Sequence, residues 1–209
     1  TNPYQMAFNS EPNSRTERIL GDVFLDITPV EGLTIHAAMS ADYSVNRTRN
    51  FGYPNIYTSY NASDKNFISS SMSRSLQLLE EATVTYAREI NKHNFSVMVG
   101  QTWSEYNYYS IGGSGAQILN PIPSNWYLSC ATEDQTYASD NVSRTRRLSF
   151  LGRAFYSYDN RYMVTVNFRA DASSKFTKQP WGFFPSAAIA WRLSEEPFMR
   201  DLNLDWLDN

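Results

Sequence analysis

Few residues in this sequence are of types that do chemistry, and their spacing argues against each reaction they could support. The two histidines, His36 and His93, are too few and too far apart for a His-based metal or acid–base constellation. Cys130 is the single cysteine, which excludes an intramolecular disulfide and any cysteine-based zinc site. The run Gly112-Gly113-Ser114-Gly115 lacks the following Lys and Ser/Thr of a phosphate-binding loop and reads as part of a long, flexible connection. Glu195 and Glu196 are adjacent, and neighbouring strand residues point to opposite faces, so the pair cannot converge as two catalytic carboxylates. No catalytic residue, metal or cofactor is therefore assigned. What remains is a cluster of aromatic residues, Trp103, Tyr106, Tyr108, Tyr109, Trp126 and Tyr127, whose ring faces can take sugar rings or peptides. Packing of a loop on itself is the competing role of the same rings.

The elements that must position these rings are strands. Apolar residues make up 42% and aromatic residues 15% of the 209, too aromatic for a disordered chain and too polar for a helical membrane protein. No apolar run reaches the roughly 18 residues that a membrane helix needs. The net charge of -3, with cations scattered among acids, leaves no basic stripe for nucleic acid. Instead, apolar residues alternate with polar ones at period 2. Leu33, Ile35, Ala37, Met39, Ala41 and Tyr43 form one such row. Others are Ile19 to Ile27, Phe95 to Val99, Leu148 to Tyr158, Tyr162 to Phe168, Ala187 to Leu193 and, more noisily, Ala82 to Tyr86. These make about seven strands, several persisting for roughly 10–14 residues, the length that crosses a bilayer at a tilt.

Connection lengths alternate. Residues 28–32, 89–94 and 157–161 are tight turns, marked by Pro29, Gly32, Asn91 and the Asp159-Asn160 pair. Residues 49–73, 109–143 and 171–183 are long. Short turns on one side and long loops on the other are the habit of outer-membrane barrels. Taking the short turns as periplasmic puts Tyr86, Phe95, Tyr158, Tyr162 and Trp191 at one set of strand ends and Tyr43, Trp103, Phe168 and Phe184 at the other, two aromatic girdles. The opposite parity carries Asp42, Arg153, Thr165, Asn167, Arg169 and Arg192. Of these, Arg153, Asn167, Arg169 and Arg192 are the expected lumen-facing residues. Charges avoid the apolar parity except at Glu80, which is expected above the bilayer.

From Leu148 onward the wording becomes specific. Ser149-Phe150-Leu151-Gly152-Arg153-Ala154-Phe155-Tyr156-Ser157-Tyr158, Asn160-Arg161-Tyr162, Arg169-Ala170-Asp171-Ala172-Ser173-Ser174-Lys175-Phe176, Trp181-Gly182-Phe183-Phe184-Pro185-Ser186 and Trp191-Arg192-Leu193-Ser194-Glu195-Glu196 follow in order. This stretch resembles the barrel of SusC/RagA-type TonB-linked outer-membrane proteins. The family usually carries Gly where this chain has Ala172, and often Arg where it has Lys175. The resemblance implies an all-β, antiparallel up-and-down transmembrane β-barrel of 22 strands holding a plug. It further implies TonB as the energising partner, a SusD-like surface lipoprotein as lid, and outer-membrane lipid around the wall.

About seven strands cannot close such a barrel and would leave two open edges, which hydrocarbon does not tolerate. Residues 1–209 are therefore expected to be a partial barrel domain. The signal peptide, plug and remaining strands would lie elsewhere, and residues 202–207 would lead toward a next strand. The expected function is import of an oligosaccharide, or of a peptide, across the bacterial outer membrane, with no enzymatic activity. The alternative is a soluble secreted β-sandwich that binds carbohydrate through the aromatic cluster.

Overall fold

The computed structural model describes residues 9–56, 62–132 and 136–200; the reading of residues 202–207 lies outside them. The strands are β1 (Ser10–Val30), β2 (Leu33–Gly52), β3 (Asn55–Ile56), β4 (Ala62–Ser63), β5 (Phe67–Ile90), β6 (His93–Ala116), β7 (Thr136–Tyr158), β8 (Tyr162–Ser173) and β9 (Trp181–Trp191). Seven of them form one antiparallel sheet in the order β1-β2-β5-β6-β7-β8-β9, while β3 pairs with β4. Each long strand lies beside its predecessor in the chain, which is the up-and-down meander. The sheet is not closed.

Strands β2, β5, β6 and β7 run for 20, 24, 24 and 23 residues, so much of what the sequence suggests as long loops is strand. The reason is physical. An apolar face is needed only where a strand crosses hydrocarbon; beyond it the ladder keeps its hydrogen bonds while both faces turn polar, and the period-2 hydropathy signal disappears. The Gly112 to Gly115 run is a case in point, lying in β6 and not in a flexible loop. A Cβ on Gly112 would come within 3.0 Å of the Ser70 carbonyl oxygen, and one on Gly113 within 2.8 Å of that of Tyr137. These glycines let the neighbouring strands approach.

The chain forms two compact units. One comprises Gly21–Ser40, Leu78–Glu105 and Thr145–Asn209, and the other Thr1–Leu20, Ala41–Gln77 and Tyr106–Arg144.

In the first of these the usual partition is inverted. Val99, Val166 and Ile189 are 56%, 49% and 84% exposed, whereas Ser149 and Ser157 are 6% and 1% exposed. Ala170 is the only buried apolar residue among its described residues. A sandwich would cover that apolar face with a second sheet of comparable size, and beside the seven-stranded sheet the described residues hold only the two-residue strands β3 and β4. Water is a poor solvent for it; hydrocarbon is a good one. Register confirms the parity: Ala154, Val166 and Ala187 align across β7, β8 and β9, as do Arg153, Asn167 and Ser186 on the other face. One girdle position changes. Phe184 pairs with Arg169 on the polar parity, and it is Phe183, across from Ala170 and stacked at 6.2 Å on Phe168, that stands on the apolar one. Ala172 lies in β8, paired with Leu148 and Trp181, so the missing family glycine is accommodated by extended backbone.

The tight turns match their residues. Gly32 has φ +82°, Asn91 +57°, and Asp159 and Asn160 both +53°, the left-handed geometry that Gly, Asn and Asp tolerate. Arg161 ties the third turn together, donating to Asp159 and, at 3.4 Å, to Glu196. Glu196 also accepts from Tyr162 Oη at 2.5 Å and Trp191 Nε1 at 3.1 Å, while Lys92 Nζ donates to Asp159 at 3.0 Å. The Arg161 hydrogen bond, then that of Lys92, holds the Asp159 carboxyl below its ordinary range; the Tyr162 and Trp191 bonds do the same for Glu196. Both groups favour the ionised form when folded. Their contribution is complete above the ordinary carboxylate pKa and is lost as pH falls through the depressed values. The urea midpoint of the folded barrel, followed from about pH 6 to about pH 3, should therefore fall more steeply for the native sequence than for Asp159→Asn/Glu196→Gln. Parallel curves would count against this assignment.

The second unit has a conventional core. Phe51, Ile68 and Ile118 are buried together, with Trp126, Leu128 and Ala131 packed against them. The Asn66 amide clamps the backbone of Ile118 in both directions, donating to its oxygen at 3.0 Å and accepting from its N–H at 2.7 Å.

Candidate functional site

The residues singled out in sequence do not form one cluster. Trp126 lies stacked on Phe51, with ring centroids 4.5 Å apart and planes 5° from parallel, and its Nε1 donates to the Pro121 oxygen at 3.3 Å. Tyr127 lies under the Arg49 guanidinium at 4.5 Å, and Tyr109 under that of Arg74 at 5.8 Å. Trp103 lines a shallow cleft with Arg146, Leu148 and Phe176. Along β6, Trp103 and Tyr109 share the parity of Val97 and Val99, while Tyr106 and Tyr108 take the other.

Tyr106 and Tyr108 belong to a face without net charge. In the unit that contains them, the matching parity carries Ser44, Asn46, Thr48 and Asn50 on β2, Ser69, Ser71, Ser73 and Ser75 on β5, and Ser139, Asn141 and Ser143 on β7. Arg18 and Asp42 also stand on this face, and they neutralise each other through two hydrogen bonds of 2.8 and 2.6 Å. Hydroxyls and amides both donate and accept, and with two phenol rings they can hold a neutral, hydroxyl-rich ligand without paying for desolvated charge. This face is missing from the sequence reading. Its signal is the alternation of Ser69, Ser71, Ser73 and Ser75 with Ile68, Ser70, Met72 and Arg74, visible only if period 2 is followed where both rows are mostly polar.

The other unit presents a cleft of about 620 Å³, lined among others by Arg147, Ser149, Arg169, Asp171, Lys175 and Phe184. Here Arg169 Nε donates to both carboxylate oxygens of Asp171, at 2.7 and 2.9 Å, and Nη2 to Ser149 Oγ at 3.4 Å. Asn167 Nδ2 donates to Ser186 Oγ at 3.2 Å. Arg153, paired with Asn167, shares this parity, whereas Arg192 falls just after β9, its backbone N–H bound to the Arg161 oxygen at 2.8 Å. His36 Nδ1 lies 2.6 Å from Asp26 and His93 Nδ1 2.8 Å from the Tyr156 hydroxyl. Glu195 ends a 3-10 turn, Leu193–Glu195, and not a strand, so strand alternation does not govern the acidic pair; Glu196 is committed to the Arg161 tie.

No family model matches the chain. Among curated proteins it is 33% identical over 122 residues to the TonB-dependent receptor SusC of Bacteroides thetaiotaomicron, covering 58% of this chain and 12% of that protein. It is 26% identical over 204 residues to the TonB-dependent receptor P26 of Formosa agariphila, covering 94% of this chain and 20% of that protein. Among solved structures, the RagAB peptide transporter matches with a TM-score of 0.82 and 24% identity over 95% of this chain and 22% of that one. The 'open-open' state of the RagAB peptide importer matches with a TM-score of 0.77 and 25% identity, over 90% of this chain and 20% of that one. The chain thus spans about an eighth to a fifth of the length of these two curated relatives.

Proposed function

Because this chain belongs to the SusC/RagA-type TonB-dependent outer-membrane proteins, we propose that it forms part of the wall and outer loops of a barrel that imports a neutral oligosaccharide. The apolar parity faces lipid and the polar parity faces the lumen, where Arg153, Asn167, Arg169 and Arg192 stand. Residues 1–209 are a partial barrel domain; a plug carried elsewhere in the protein closes the lumen, TonB supplies the energy that displaces it, and a SusD-like lipoprotein covers the mouth. Import is a displacement and not a bond-making step, so the chain supplies binding surface and scaffold and no catalytic group.

The observation that carries the choice of substrate is the uncharged face of Ser, Asn, Thr and Tyr around Tyr106 and Tyr108. Each ring that stacks on a sugar contributes roughly 0.5–1.5 kcal/mol, so Tyr106→Ala/Tyr108→Ala in the full-length transporter should bind a fluorescent oligosaccharide about tenfold more weakly. Trp126→Ala, which removes a ring packed on the Phe51 core and not one on the Tyr106–Tyr108 face, should leave the affinity of the folded transporter within about twofold. A peptide is the second reading, favoured by the RagAB structures, which are those of a peptide transporter. Competition by short peptides and none by oligosaccharides would select it.

A further inference from the structure

In the unit that carries β2 residues 41–52, the strand cations other than the Asp42-paired Arg18 stand on the face opposite the Ser/Asn/Tyr one. Arg47, Arg49, Arg74 and Arg144 all stand on the parity that, lower on the same strands, holds Ile35, Val84, Val99 and Phe150. The acids of that parity are fewer: Glu17 is paired with Arg15 at 3.0 Å, Glu11 stands on β1 and Asp140 on β7. Between the strands a cleft of about 510 Å³ is lined by Tyr43, Arg74, Leu76, Asn107, Tyr109, Val142 and Arg144 of that parity and by Tyr108 and Ser143 of the other, with Arg74 and Arg144 exposed.

We infer that this cleft binds the phosphorylated headgroup of a glycolipid in the outer leaflet. Three features point there together. Guanidinium groups pair with phosphate oxygens through charge-assisted hydrogen bonds. Leu76, Val142 and the rings of Tyr43 and Tyr109 give an amphiphile an apolar bed beside its charge, as interfacial aromatic residues do. Both cations and most of the other lining residues take the parity turned toward lipid, away from the uncharged face proposed for substrate, so the charge is offered to the membrane side and not to the lumen. The inference goes beyond import and rests on the membrane reading of that parity.

The test is native mass spectrometry of the full-length transporter in detergent, titrated with lipid A that carries or lacks its phosphates. Two cations at a headgroup surface account for about a 30-fold change in affinity. The phosphorylated lipid should bind about that much more tightly, Arg74→Gln/Arg144→Gln should lose the preference, and Arg74→Lys/Arg144→Lys should recover part of it. Equal binding of the two lipids, or an unchanged preference in the Gln variant, overturns the inference. Displacement of the lipid by inorganic phosphate at equal concentration also overturns it, because the site would then belong to a soluble anion. A transporter that inserts but shows no phosphate preference fails only this inference, whereas one soluble without detergent fails the membrane reading beneath it.

Discussion

Val166→Arg in the full-length barrel is expected to lower folding stability in vesicles by roughly 2–4 kcal/mol, and Thr165→Arg, one residue away, by less than about 1 kcal/mol. Val166 is aligned with Ala154 and Ala187, on the parity whose side chains are exposed although apolar. Along β8 it lies between Tyr162 and Phe168, the two girdle residues, and hence near the middle of the hydrocarbon. An Arg there cannot reach water without bending the bilayer or its own stem, and no acid stands on the apolar parity of β8, β9 or residues 145–158 of β7 to neutralise it. Thr165 faces the opposite way, between Phe155 and Ala188, on the parity that already accepts Arg153 and Asn167. Both variants put Arg in place of a β-branched residue at neighbouring positions of one strand, so propensity and the unfolded chain nearly cancel between them. Urea titration in vesicles, read by the heat-modifiable shift of the folded band, measures the difference. Equal costs would mean that both faces see the same solvent, and would remove the membrane from the account.

The same contrast explains what could be read in the sequence. The row from Leu33 to Tyr43 is legible because hydrocarbon on one side and water on the other force alternation; seven strands, their meander and their turns follow from such rows and from Gly32, Asn91, Asp159 and Asn160. The upper halves of β5 and β6 are not legible as strands, because Ser69 to Ser75 and Tyr106 to Ser114 stand in polar surroundings on both sides and lose the contrast on which the pattern depends. Phe184 could have been placed correctly by counting back in twos from Trp191, which arrives at Phe183. The six aromatic residues share a type but not a place. Where Trp126 and Tyr127 go is decided by Phe51 and Arg49, more than 70 residues earlier, a partnership no local spacing carries.

Gly32→Ala should cost about 2–3 kcal/mol, from roughly 1–2 for the left-handed backbone and about 1 for a weakened hydrogen bond, although it adds one methyl group. At φ +82° any L side chain is strained, and a Cβ built there would sit 2.3 Å from the Ala87 carbonyl oxygen. That oxygen is part of β5 and cannot swing away as a side chain would. The Ala87 N–H, moreover, donates to the Gly32 oxygen at 2.8 Å, so moving the turn to relieve the clash breaks the bond that seats it on β5. Gly32→Asn separates the two causes: asparagine tolerates the left-handed region but keeps the Cβ, so it should recover part of the dihedral cost and none of the contact. Gly152→Ala is the counterpart, since its added Cβ meets nothing within 4 Å and its backbone is extended in β7. It should change stability by no more than about 0.5 kcal/mol. If the two alanine variants unfold at the same urea concentration, the β1–β2 turn is not docked on β5 as described, and the register that places Asp42 and Tyr43 on opposite faces loses its anchor.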